Sequence, residues 1–172
     1  MVKFQKNKIT NQFLKNFPII LLFISVLNEF DFNYLNLKYF SFNFPFILIF
    51  YWSLKKNDSL SYGFIFIAGL FNDAVIGLPI GLSSLSYLLV CGFAAYLRNI
   101  TLRPDLFKDW LFFLMTICVT NSLIYFLIVV FFKVNLNYLD YVFNIIFTFL
   151  LYIVIAYFFD IYQRFVFKKE ND

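Results

Sequence analysis

Residues 110–132 read WLFFLMTICVTNSLIYFLIVVFF, and residues 141–159 read YVFNIIFTFLLYIVIAYFF. Neither stretch contains a Lys, Arg, Asp or Glu. About 20 residues of α-helix, rising 1.5 Å each, cross roughly 30 Å of hydrocarbon. Both intervals are therefore expected to be membrane-spanning helices. The rest of the chain has the same character: 62% of its 172 residues are hydrophobic, 24% are aromatic and only 14% are charged. A soluble domain carries roughly 25% charged residues. Its mean hydropathy of +0.79 leaves more apolar surface than a chain of this length can bury, and the excess is expected to face lipid.

Charges punctuate the remaining sequence, so charge-free intervals mark further spans. Four more are expected, at about 16–30, 39–54, 61–75 and 82–97, which with 110–132 and 141–159 make a six-helix transmembrane bundle of one domain. The shorter spans require snorkelling lysines or a locally thinned bilayer. Lys3, Lys6, Lys8 and Lys15 precede the first span as they would a secretory signal. No A-x-A site follows, so an uncleaved span is expected.

The basic residues orient this layout. With the N-terminus cytoplasmic, Lys3, Lys6, Lys8, Lys15, Lys55, Lys56, Arg98, Arg103, Lys108, Arg164, Lys168 and Lys169 all fall on the cytoplasmic side. Only Lys38 and Lys133 do not, as the positive-inside rule requires. The loops at Lys55–Lys56 and Arg98–Lys108 must share a side, which demands an even number of crossings between them. A helical hairpin gives two and a re-entrant loop none; the intervening length suits the hairpin. Trp52 and Trp110 lie beside charges at the expected cytoplasmic boundary and are candidate interface anchors. Tyr39, Tyr138 and Tyr141 mark the opposite face.

Several chemistries are disfavoured. The chain has no histidine, and Cys91 and Cys118 lie singly in apolar runs, so no zinc site or Cys–His nucleophile is expected. The net charge of +4 is assigned to basic loops, since no basic run with interleaved aromatics suggests a nucleic-acid surface. Polar residues within spans (Thr116, Thr120, Asn121, Ser122 and Asn144) form no catalytic set and are expected to bridge helices at about 0.6 kcal/mol each. No catalytic residue, metal or cofactor is expected.

One constellation stands apart. In GLFNDAVIGLPIGL, residues 69–82, the residues Gly69, Asp73, Gly77 and Gly81 recur every fourth position. Up to Pro79 that spacing sets small residues and one carboxylate on a single helical stripe, where a neighbouring helix can approach closely. Pro79 interrupts the helix, and Gly77 and Gly81 permit a reversal. Asp73 is the sole acid between Asp58 and Asp105. At a bilayer centre it would cost about 2.5–3.5 kcal/mol. It is expected either to cap a turn near the outer interface or to bond Asn72, Ser83 or Ser84 across the hairpin.

Tyr51-Trp52 closing the second span, Pro45 near its start, then Gly63, Gly69, Asp73, Gly77, Pro79-Ile80-Gly81-Leu82 and a Leu/Tyr-rich helix ending at Arg98 resemble the MreD family of bacterial rod shape-determining membrane proteins. The resemblance covers about Phe44 to Arg98; beyond it, only hydropathy, length and the basic N-terminus agree. It implies a non-enzymatic protein of the bacterial cytoplasmic membrane. Its implied partners are an MreC-like protein, MreB filaments and the RodA/penicillin-binding-protein machinery of lateral peptidoglycan synthesis. It also implies that Gly69, Asp73, Gly77, Pro79 and Gly81 serve helix packing and partner contact.

Two other readings compete. A six-helix substrate-binding subunit of an energy-coupling-factor vitamin importer would have the same size. Its docking helix would be rich in small residues, whereas Phe17–Leu27 is bulky with Ser25 its only small residue. A membrane enzyme acting on lipid or prenyl phosphates would need clustered Asp, His and Arg, which the sequence lacks.

Overall fold

A computed structural model describes residues 16–27, 42–55, 60–101, 105–133 and 138–171. Each apolar run coils into a helix, and local residues set its ends. Helix α1 covers Asn16–Leu27. Helix α2, Phe44–Leu54, starts where the Asn43 side chain accepts the Phe46 N–H at 3.3 Å, with Pro45 in the first turn where no N–H partner is needed. Helix α3, Tyr62–Ile76, stops at Gly77, and α4, Leu82–Ile100, follows a short turn. Helix α5, Leu106–Leu127, begins at Asp105, whose carboxylate accepts the Phe107 N–H at 3.2 Å. It runs on as a π-helical segment, Ile128–Phe132. Helix α6 covers Tyr138–Asn171. Among the described residues there are six helices and no strand.

The helix ends differ from the charge-free intervals in instructive ways. Helix α5 starts before Trp110 because the Asp105 cap, not the first apolar residue, nucleates it. Helix α6 continues past Phe159 through Asp160 and Arg164, since Gln163, Arg164, Lys168 and Lys169 beyond the apolar run are good helix formers. Residues 28–30 and 39–41, assigned to spans from the sequence, and Tyr39 and the side chain of Tyr138, lie outside the described residues.

Helix α2 is the centre of the bundle. Every residue from Pro45 to Trp52 is buried, as expected of a helix apolar on all sides. Helices α4 and α6 pack directly on it. Phe46 meets Tyr87 edge-on at 5.8 Å, and Phe50 meets both Phe113 and Tyr152, at 5.0 and 5.8 Å. Trp52, a candidate interface anchor from the sequence, shares this burial. It is only 3% exposed, enclosed by Tyr51, Phe159 and Tyr162, because the helix that carries it is surrounded by others. Trp110 is half-buried; its ring stacks on Phe149 at 4.4 Å and its indole N–H donates to the Phe149 carbonyl at 3.0 Å.

Contacts at the two ends show that successive helices alternate in direction. At one end Phe17 of α1 stacks on Tyr162 of α6. Lys55, after α2, pairs with Asp160 of α6 at 3.2 Å, and Arg98 of α4 donates to the Ser53 carbonyl at 2.9 Å. Asp109 of α5 lies within electrostatic reach of Lys55 and Asp160. At the other end, the Asn43 N–H donates to Thr148 Oγ1 at 2.9 Å, Phe23 meets Phe71, and Tyr125 meets Tyr141. Ionic groups thus gather at one end of the bundle. Two helical stretches, Leu106–Phe132 and Tyr141–Arg164, have the length and composition to cross a membrane. Most of their residues face outward, including Met115, Phe126, Phe131, Leu150 and Phe158.

Candidate functional site

The α3–α4 hairpin gathers all five residues of the Gly/Asp/Pro constellation. Its closest approach is at Gly69, whose position faces Ser84 backbone to backbone. A Cβ there would lie 2.3 Å from Ser84 Cα and 2.5 Å from Ser84 N. Two bonds lock this crossing: Ser84 Oγ donates to the Phe66 carbonyl at 3.0 Å, and Asn72 Nδ2 donates to Ser83 Oγ at 2.9 Å.

One helical turn along, Asp73 is fully buried and joins both helix ends. Its backbone carbonyl accepts the Gly77 and Leu78 N–H groups at 2.9 and 3.0 Å, closing the C-terminus of α3. Its carboxylate closes the N-terminus of α4: Oδ2 accepts the Gly81 N–H at 2.7 Å and Oδ1 the Ser83 N–H at 2.8 Å. Orphan amides and the positive end of the α4 dipole balance the negative charge. Both roles read for Asp73 from the sequence meet in this geometry, since the carboxylate caps a turn and bonds to Ser83 across it. With an N–H on each oxygen, the group is arranged for structural fixation rather than proton transfer.

Gly77 was placed on the packing stripe, but α3 ends at Ile76 and Gly77 is its left-handed C-cap, while Gly77 and Gly81 make the reversal read for them from the sequence. Gly77 and Gly81 adopt φ of +74° and +103°, and a Cβ at either would meet nothing within 4 Å. They serve the reversal. Pro79 accepts the Leu82 N–H at 3.3 Å through its carbonyl. Of the constellation, Gly69 alone makes the close interhelical approach.

A second polar group went unread in the sequence. Tyr51, 1% exposed, donates through its hydroxyl to Asp160 Oδ1 at 2.7 Å, and Lys55 lies 5.6 Å from the Tyr51 ring centre while pairing with the same carboxylate. Asp109 is also buried, 3% exposed. Pairing between residues over a hundred positions apart leaves no local signal; only the isolation of Asp160 after a long apolar run hinted at it. Cys91 is buried and accepts from Ser53 Oγ at 3.2 Å, whereas Cys118 is exposed.

No group of three His, Cys, Asp or Glu suited to a metal occurs among the described residues. A surface groove of about 500 Å³ along α4 is lined by Leu85, Leu88, Leu89, Gly92, Phe93 and Tyr96 and is almost wholly apolar. No family model, curated protein or solved structure matches the chain.

Proposed function

We propose that this chain is a multi-pass protein of the bacterial cytoplasmic membrane, crossing it six times with both termini in the cytosol. In this reading it is a non-enzymatic scaffold of the cell-elongation complex, the role implied by the resemblance to MreD. It supports rod shape and lateral peptidoglycan synthesis beside an MreC-like protein, MreB and the RodA/penicillin-binding-protein machinery. Two features support the membrane reading. Large apolar side chains cover the outer faces of α5 and α6, and the basic residues Lys55, Arg98 and Arg164 belong to the same end of the alternating bundle.

The observation that carries the scaffold reading is the state of Asp73. An intramembrane acid is a functional candidate by default, and here both carboxylate oxygens are taken by backbone donors. The residues behind the resemblance fix the relation of two helices, as a docking surface requires, and present no free acid, base or nucleophile. Depleting the protein from a rod-shaped host is expected to round the cells, and the tagged protein is expected to co-purify an MreC-like partner. Unchanged shape and no such partner overturn the scaffold reading. A reporter fused after residue 135 is expected to be active only in the periplasm; cytoplasmic activity overturns the six-span topology.

A further inference from the structure

We infer that the tip of the α3–α4 hairpin, residues 77–82, ends within the lipid of the outer leaflet instead of emerging into water. This inference rests on the membrane reading proposed above and adds to it a lipid-facing turn. Three observations carry it.

The first is the turn's hydrogen bonding. Residues 77–83 hold six N–H groups, Pro79 having none. Five of them donate within the hairpin: Gly77 and Leu78 to the Asp73 carbonyl, Gly81 and Ser83 to its carboxylate, and Leu82 to Pro79. A turn in water can leave such donors to solvent. In hydrocarbon each orphan costs several kcal/mol, so internal closure is what that location demands.

The second is composition. From Val75 to Leu82 the chain reads VIGLPIGL, without one polar side chain, where a solvated turn would be rich in Asn, Asp and Ser. Ile80 at the tip is 83% exposed, and Val75 and Ile76 are 45% and 44% exposed.

The third is reach. Helix α3 has 15 residues, about 22 Å at 1.5 Å per residue, against roughly 30 Å of hydrocarbon. Its neighbour sets the level of the tip: Leu82 packs with Ile124 of α5 and Ile128 of its π-helical continuation. Beyond that level α5 continues with exposed Val129, Val130, Phe131 and Phe132 before Lys133. An apolar, outward-facing turn of helix thus extends past the start of α4, and the lipid that covers it reaches the hairpin tip as well. Lipid is the occupant these facts favour, because the tip offers neither charge nor a side-chain hydrogen bond to a protein partner.

The test uses full-length protein with Cys91→Ala and Cys118→Ala, carrying either Ile80→Cys or Lys133→Cys. Both sites are exposed, so neither substitution disturbs packing. In spheroplasts, a membrane-impermeant maleimide is expected to label residue 133 at least tenfold faster than residue 80. The purified proteins, tagged at the cysteine with a fluorophore, are then reconstituted into phosphatidylethanolamine/phosphatidylglycerol vesicles containing lipid with a nitroxide on acyl carbon 5. Quenching at residue 80 is expected to be at least twofold stronger than at residue 133. Equal labelling with equal quenching overturns the inference and places the tip in water. Protection in cells without quenching in vesicles also overturns it, in favour of a protein covering the tip. Labelling of residue 133 only in inside-out vesicles overturns the proposed orientation instead, while the quenching ratio still decides the lipid contact.

Discussion

Replacing Gly69 with Ala tests the hairpin most directly, because two effects of opposite sign compete and the geometry of the crossing decides which wins. In a helix interior, Ala is favoured over Gly by up to about 1 kcal/mol. At Gly69 the new methyl carbon would lie 2.3 Å from Ser84 Cα and 2.5 Å from Ser84 N. Both neighbours are backbone atoms, so no rotamer change relieves the overlap and the helices must move apart by more than 1 Å to restore ordinary contact at about 3.5–4 Å. Overpacking of this kind costs about 1–3 kcal/mol. Separation also stretches the bonds from Ser84 Oγ to Phe66 and from Ser83 N to Asp73, each worth about 0.6 kcal/mol between membrane helices. The expected net effect is a loss of about 1–3 kcal/mol. Gly92→Ala is the control: it sits in mid-helix on α4 and its added carbon meets nothing within 4 Å, so the propensity gain is unopposed and stability rises by up to about 1 kcal/mol. Reversible unfolding of the purified protein in mixed micelles, followed by tryptophan fluorescence, measures both. Gly69→Ala as stable as Gly92→Ala would refute the close-packing argument.

Substitutions at five further positions test other parts of the structure by the same unfolding assay. Asp73→Asn retains one acceptor but turns an amide against a backbone N–H, and is expected to lose about 1–3 kcal/mol; Asp73→Ala, which also removes the charge at the α4 N-terminus, should lose more, and the reverse order would contradict the double cap. Gly77→Ala and Gly77→Leu should each cost about 1–2 kcal/mol and differ little, since the penalty is φ of +74° in open space; a much larger loss for Leu would restore the packing role. Ala74→Leu, on the exposed face of α3, should be near neutral. Tyr51→Phe keeps the ring contacts and removes the hydroxyl that donates to Asp160; combined with Asp160→Asn in a double-mutant cycle it should show coupling of about 1 kcal/mol or more, and additivity would refute the bond.

How much of this could be read from the sequence follows from the range of each interaction. Helical class and helix number are written in run length and charge placement, which act within a single turn or span. The polar hairpin was legible for a related reason: Asp73 is ten residues from Ser83, and an acid in an apolar field has few neighbours to choose from. What the sequence hid is whatever depends on which helix stands in the middle. FPFILIFYWSL has the same hydropathic appearance as its neighbours, yet α2 is buried on all sides while α5 exposes most of its surface. In the proposed membrane setting a lipid-facing helix and a helix-facing one are both apolar, so the pattern that separates inside from outside in water is absent. The burial of Trp52 was hidden for that reason. The stripe stops short of Gly77 for another reason, because a period of four is meaningful only while φ stays helical, and Gly77 itself ends the helix.

In the proposed membrane setting, the placement of polar contacts explains how a bundle without a hydrophobic drive between its helices still adopts one arrangement. Lipid tails and apolar side chains are equivalent partners, so sliding or rotating a helix loses little unless something specific is broken. Here the specific contacts sit at the two ends. Asp73 with Ser83, and Asn43 with Thr148, fix one; Tyr51 with Asp160 and Lys55, and Arg98 with Ser53, fix the other. Between them the core is aromatic, with Phe50, Phe113 and Tyr152 in mutual ring contact around α2, and rings are stiff, large and matched in shape to one register. The end bonds are individually weak, but they act on opposite ends of the same helices, so a shift that preserves one set breaks the other. The α3–α4 crossing is then held at a fixed distance by Gly69 and at a fixed register by Asp73, which leaves the outward groove of α4 a surface of defined shape.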